Sequence, residues 1–123
     1  MKIKKLLTSF KNAFHGLVYV FKNEQNFRIQ IFIAILVILG MFLFPLGKYE
    51  VIALLLLILL VLILELINST FEIFIDVTRP RLHHKAKLIK DIMAGTVFIS
   101  SLGALILGVI IFWPYIIELF IEK

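Results

Sequence analysis

A chain of 123 residues that is 62% hydrophobic and only 17% charged, with a mean hydropathy of +1.08, has too little polar surface to clothe a water-soluble globule. It reads as an integral membrane protein. The absence of cysteine excludes a disulfide framework, a thiolate nucleophile and a sulfur-bound metal, so that any metal must be held by oxygen, while a net charge of +5 suits anionic lipid headgroups or a polyphosphate rather than nucleic acid.

In chain order, Leu6, Phe10, Phe14, Leu17, Val18 and Phe21 recur at helical spacing, with Lys4, Lys11, Asn12, Lys22 and Asn23 largely opposite them. Residues 3–23 are therefore predicted to form an amphipathic helix lying on the membrane surface, as an anchor or as a lid over a membrane-level site. The first strongly apolar stretch begins only after this segment and no small-residue cleavage site follows it, so no removable signal peptide is expected. Residues 27–46, 51–75 and 92–117 are each long enough to cross a bilayer core, which takes about 20 residues. The expected architecture is all-α: one surface helix and three transmembrane helices in a single domain over residues 1–123.

Of the 13 basic residues, Lys2, Lys4, Lys5, Lys11, Lys22 and Arg28 lie before or at the first span. Arg79, Arg81, Lys85, Lys87 and Lys90 lie between the second and third, and only Lys48 and Lys123 remain for the other side. That asymmetry predicts a multi-pass protein of the plasma membrane, with the N-terminus and second loop cytoplasmic and the C-terminus outside. The Pro45 to Gly47 turn should pack the first two spans antiparallel, and Pro80 is expected to stop the second helix. Ser100, Ala104 and Gly108 form a small-residue ridge suited to close helix packing. Three helices bury few positions fully, so other copies of the chain are expected to complete this ridge and the polar face described next.

The run LELINSTFEIFIDV places Glu65, Asn68 and Glu72 inside the second span and Asp76 where it leaves the membrane. At 100° per residue Glu72 lies about 20° from Glu65, and the three carboxylates share one face over about 16 Å of axis. Ionisable groups in lipid cost roughly 2.5 to 3.5 kcal/mol each on insertion scales, which marks this face as functional. Antiparallel packing brings Glu24 of NEQNFR to the level of Glu72 and Asp76, and the third span opens in the same zone with Lys87, Lys90 and Asp91. Converging carboxylates suit a hard cation, and Mg2+ takes one or two of them together with substrate phosphates and waters, so Glu24 and Glu72 are the candidate metal ligands. Lys90 is best placed to neutralise phosphate oxygens. Glu65, deepest on the face, suits a general base that takes a proton from a lipid alcohol. The neighbouring pair His83 and His84 reads as loop. The only Gly-Lys, at Gly47 and Lys48, is followed by Tyr49, so there is no phosphate-binding P-loop, and no protein-kinase signature is present. A small transporter or a non-enzymatic membrane subunit also fits a polar face with a basic loop, although repeated halves and interrupted helices are not visible.

Three runs carry a resemblance: Glu24-Gln25-Asn26-Phe27-Arg28 as E-x-N-x-R/K, residues 65–76 as E-x-x-N-[ST]-x-x-E-x-x-x-D, and residues 83–95 as H-x-x-A-K-x-x-K-D-x-x-A-G. In these, across roughly residues 10–114, the chain resembles the prokaryotic diacylglycerol kinase and undecaprenol kinase family of very small membrane lipid kinases. The resemblance implies a homotrimer with sites shared between chains, and an ATP- and Mg2+-dependent transfer to a lipid alcohol. It gives Glu65 the role of catalytic base and Glu24 and Glu72 that of Mg2+ ligands holding the ATP phosphates. Asn68, Asp76, Lys90 and Asp91 become further nucleotide contacts, with Arg81, Leu82 and His83 where the family's loop approaches the nucleotide, and Arg28 stands with Glu65 on the lipid-substrate side. Many relatives have His-Pro where this chain has His83-His84, and Asn12 stands where some have an aromatic nucleotide contact. The segment FKNEQNFRIQ and the pair Ala86-Lys87 look closer to the undecaprenol kinase branch, which makes a polyprenol the expected acceptor and diacylglycerol the alternative.

Overall fold

The computed structural model describes residues 2–82 and 84–122, residues 79–82 by their backbone alone. They form four helices: α1, Lys2–Asn23; α2, Gln25–Leu43; α3, Lys48–Leu82; and α4, Lys85–Ile121. Three of them, over Gln25–Leu43, Lys48–Thr78 and Lys85–Ile121, are long and apolar enough to cross a membrane. Their large side chains are mostly exposed, Phe42 at 84% and Phe98 at 66%. A continuous apolar belt of that extent would aggregate in water, whereas here it is the surface that meets acyl chains.

α3 packs most extensively on α4, less on α2, and α1 touches chiefly α2. The buried positions of α3, Leu54, Val61, Glu65, Asn68, Ser69 and Ile75, fall on one side at steps that return to the same face of a helix. The stripe that holds the bundle together is thus the stripe that carries the polar residues.

The helices outrun the apolar segments legible in the sequence. α3 and α4 contain 35 and 37 residues, or roughly 53 and 56 Å at 1.5 Å per residue, against a hydrocarbon core of about 30 Å. Hydropathy marks only the part of a helix that lipid surrounds, so α4 begins at Lys85 rather than near residue 92. Pro80 does not stop α3, as expected, because the helix runs on to Leu82. The loss of one N–H donor so near a helix end leaves only one carbonyl to be satisfied from outside, which water can do. Pro114 likewise lies inside α4.

At the end remote from α1, the turn between α2 and α3 is tied to α4. Gly47 N–H donates to Glu50 Oε1 at 3.0 Å, the returning half of a capping box, and the Tyr115 hydroxyl donates to the same oxygen. Phe44 stacks edge-on against Phe112 with centroids 6.0 Å apart and tilted against Tyr115 at 6.3 Å. Gly40 admits the Phe112 ring so closely that a Cβ there would stand 3.3 Å from it. On the ridge, by contrast, a Cβ at Gly108 would meet nothing within 4 Å in the chain itself. Gly40→Leu is expected to displace Phe112 and destabilise the bundle by about 1–3 kcal/mol, read as a lower midpoint of thermal unfolding in detergent, while Gly108→Ala, which meets no neighbour, should not lower that midpoint.

Candidate active site

Halfway along α3, about 26 Å from its start, Glu65 is 1% exposed, Ser69 1% and Asn68 6%. Both carboxylate oxygens of Glu65, Asn68 Oδ1 and Ser69 Oγ have no hydrogen-bond partner, and neither does Gln30 Oε1 on α2. The side chains that act on Glu65 are Glu24, Glu72 and Gln30. Buried polar atoms are almost always partnered, and each one left bare costs roughly 1–3 kcal/mol. Five such atoms in one neighbourhood form a site built to receive a polar group rather than a finished structural network.

One helical level nearer the α1 end, Glu72 is half-buried and its Oε1 accepts a long hydrogen bond, 3.4 Å, from Asn68 Nδ2. Glu24, the single residue between α1 and α2, makes no side-chain cap bond and instead comes within hydrogen-bonding reach of Glu72. Burial first, and then the charge and proximity of Glu72, push the Glu24 carboxyl above its ordinary value, with Arg28 opposing. Two carboxyl groups are thus brought together without a basic partner between them. Among the described residues no three His, Asp or Glu side chains are grouped to cage a metal. A pair of carboxylates nevertheless fits the limited protein share that Mg2+ takes when phosphates and water supply the rest.

Further out, Lys90 Nζ on α4 bonds Asp76 Oδ1 on α3 at 2.7 Å, and Lys87 Nζ bonds Asp91 Oδ2 at 3.3 Å on the exposed surface of α4. Exposed pairs of this kind contribute about 0.2–1 kcal/mol, so an incoming anion can displace them readily. Arg28 Nη1 is committed to main-chain carbonyls of α1, Phe21 O at 2.7 Å and Lys22 O at 3.0 Å. The side chains of Arg81 and Leu82, and all of His83, lie outside the described residues. The structure therefore gathers Glu24, Glu65, Asn68 and Glu72, sets Asp76 and Lys90 together at the rim, and leaves Asp91 on the outer face with Lys87.

From this site an apolar groove of about 880 Å3 runs between α2, α3 and α4 toward the tied end, from Gln30 past Val61 and Ala104 to Phe112. A smaller hollow of about 380 Å3 between α2 and α4 shares Gln30, Ile33, Phe98 and Ser101 with it. Gln30 is the polar residue of α2 where groove and site meet, next to Glu65.

Three membrane-long helices with an acidic, incompletely satisfied site at the head of an apolar groove define a polytopic membrane protein equipped for chemistry on a lipid. The sequence profile of prokaryotic diacylglycerol kinase matches residues 11–112. A diacylglycerol kinase of Synechocystis is 37% identical over 94% of this chain and 67% of its own length. The undecaprenol kinase of Bacillus subtilis is 31% identical over 92% of each, and a diacylglycerol kinase of Haemophilus influenzae is 34% identical over 77% of this chain and 80% of its own. The chain belongs to the prokaryotic diacylglycerol kinase family. It is a membrane lipid kinase, a phosphotransferase that takes its phosphoryl group from ATP.

Sequence reasoning passed over Ser69 and Gln30. Ser69 sits inside the quoted run, one turn after Glu65 and beside Asn68. Gln30 was legible from depth: it stands about 9 Å along α2 from Glu24, and Glu65 stands about 10.5 Å along antiparallel α3 from Glu72, so the two share a level.

Two outcomes are expected from denaturation in detergent. Because the Ser69 hydroxyl is unpartnered, Ser69→Ala should melt no lower than the parent. Glu24 has a raised folded-state pKa, so the folded state binds its proton more tightly than the unfolded one. The associated stability is full below the unfolded-state value and is lost as pH rises through the raised value. Glu24→Gln should accordingly melt higher than the parent at neutral pH, with the difference closing as the pH falls into the carboxylate range.

Proposed function

We propose that the chain phosphorylates a polyprenol, most simply undecaprenol, to its monophosphate, using Mg2+ and ATP. The observation that carries this reading is the buried Glu65 carboxyl, with no hydrogen bond to either oxygen, near the Gln30 head of the apolar groove and beside the Glu24 and Glu72 pair. A lipid lying in the groove presents its hydroxyl at Glu65. Glu65 takes the hydroxyl proton as the oxygen attacks the γ-phosphorus, the bond to the bridging oxygen breaks, and ADP leaves with the electron pair.

Glu24 and Glu72 would hold the ion, which would neutralise charge on the nucleotide phosphates. Asn68 orients Glu72 through its amide. Lys90, released from Asp76, pairs with phosphate oxygens, and Asp76 and Asp91 keep the lysines of α4 at the rim. Arg81, Leu82 and His83 complete the nucleotide contacts that the family resemblance implies. Fixing the alcohol and the phosphorus in line supplies much of the rate by proximity.

The apolar groove accommodates an isoprenoid chain, and the likeness of FKNEQNFRIQ and Ala86-Lys87 to the undecaprenol kinase branch supports the same choice. The higher identity to the Synechocystis diacylglycerol kinase favours diacylglycerol as the second reading. The excess of basic residues at the α1 end supports a cytoplasmic position for that end, with the chain in the plasma membrane. Helix α1, with Leu6, Phe10 and Phe14 exposed, lies on the inner leaflet. A homotrimer sharing sites between chains, as the family resemblance implies, would cover part of the exposed apolar surface of the helices.

The test is transfer of labelled γ-phosphate from ATP to undecaprenol and to diacylglycerol in mixed micelles. Undecaprenol is expected to be the better acceptor. Glu65→Gln should lower kcat by about 10²- to 10⁴-fold without loss of assembly, and removal of Mg2+ should abolish transfer. Absence of product with either lipid from a folded protein would sink the assignment.

A further inference from the structure

Helices α1 and α2 are joined by Glu24 alone, whose extended backbone, φ −115° and ψ 110°, carries the chain from one axis to the next. The last carbonyls of a helix have no partner within it and must find one outside. At the end of α1, Val20 O accepts the Glu24 N–H at 2.8 Å, while Phe21 O and Lys22 O both accept from Arg28 Nη1, at 2.7 and 3.0 Å. A cation at that point also meets the negative end of the α1 dipole. The Arg28 N–H in turn donates to Glu24 O at 3.3 Å, the bond that opens α2. One residue thus grips the chain on both sides of Glu24. The Glu24 side chain, having no capping duty, reaches to Glu72 on α3.

We infer that Arg28 is a positioning residue whose guanidinium, bonded to the Phe21 and Lys22 carbonyls, fixes the angle between α1 and α2 and thereby holds the Glu24 carboxyl against Glu72. This replaces a contact between Arg28 and the lipid acceptor, because the side chain is directed to the end of α1. Lysine cannot substitute fully, since its ammonium ends one bond short of the position that Nη1 occupies. The inference rests on the reading of Glu24 and Glu72 as the nucleotide-side pair.

Its primary test does not depend on activity. The chain has no cysteine, so spin labels can be placed at Lys11→Cys on α1 and Leu39→Cys on α2, both exposed, in the full chain diluted with unlabelled copies in lipid nanodiscs. A narrow distance distribution is expected for the parent, a broadened one for Arg28→Gln and an intermediate one for Arg28→Lys. A distribution as narrow in both variants as in the parent overturns the brace, and Arg28→Lys alone decides if Arg28→Gln does not assemble. In kinetics, Arg28→Gln should raise KM for ATP with Mg2+ by about tenfold or more, as a misplaced ligand does, with KM for the lipid nearly unchanged. A raised lipid KM with an unchanged nucleotide KM overturns the inference in favour of an acceptor contact. If Glu24→Gln leaves the nucleotide KM unaltered, the nucleotide-side reading fails, and the label distances still decide what Arg28 does to the helix angle.

Discussion

A carboxyl group surrounded by hydrocarbon and protein must be neutralised, paired or put to use, and the arrangement of this chain follows from that demand at Glu65. The residue is almost wholly buried on the packing face of α3 and neither oxygen has a partner. Hydrophobic side chains of similar volume would pack there at no electrostatic cost, so the fold gives up stability at its own centre. The neighbouring unpartnered oxygens of Asn68 and Ser69 add to the cost, and only the Gln30 side chain eases it. A kinase that must deprotonate an alcohol out of reach of bulk water has a use for such a group.

The two ends of the bundle divide the remaining work. Toward α1, carboxylates and lysines are exposed or half-buried, held by weak pairs such as Lys90 with Asp76, and open to an anionic nucleotide. At the remote end, Gly40, Phe44, Phe112, Tyr115 and Glu50 interlock through ring contacts and hydrogen bonds. The apolar groove runs between the two, from Gln30 to Phe112.

Much of this was legible in the sequence because lipid imposes severe rules. Segments of about 20 apolar residues must be helices, the turn at Pro45 and Gly47 forces antiparallel packing, and helical periodicity then puts Glu24 level with Glu72. The ends of α3 and α4 were not legible, since hydropathy falls silent where a helix enters water, and Pro80 looked like a stop although one more half-turn tolerates it. Gln30 and Ser69 were overlooked because neutral polar residues give no charge signal, although their depth places them beside Glu65. The engagement of Arg28 with α1 was invisible for a different reason. It depends on the direction of a long side chain across a kink, which no spacing rule encodes.

The interlocked remote end also determines how the bundle can move. Helices α3 and α4 are fastened at that end by the Glu50 and Tyr115 contact, and at the other by the Lys90 and Asp76 pair, where only two residues separate the helices. Two rods joined at both ends resist splaying as a braced frame does. Helix α2 meets α3 over a smaller contact than α4 does. The wall of the groove that yields first is therefore α2, and a long apolar molecule enters or leaves past it rather than by parting α3 from α4.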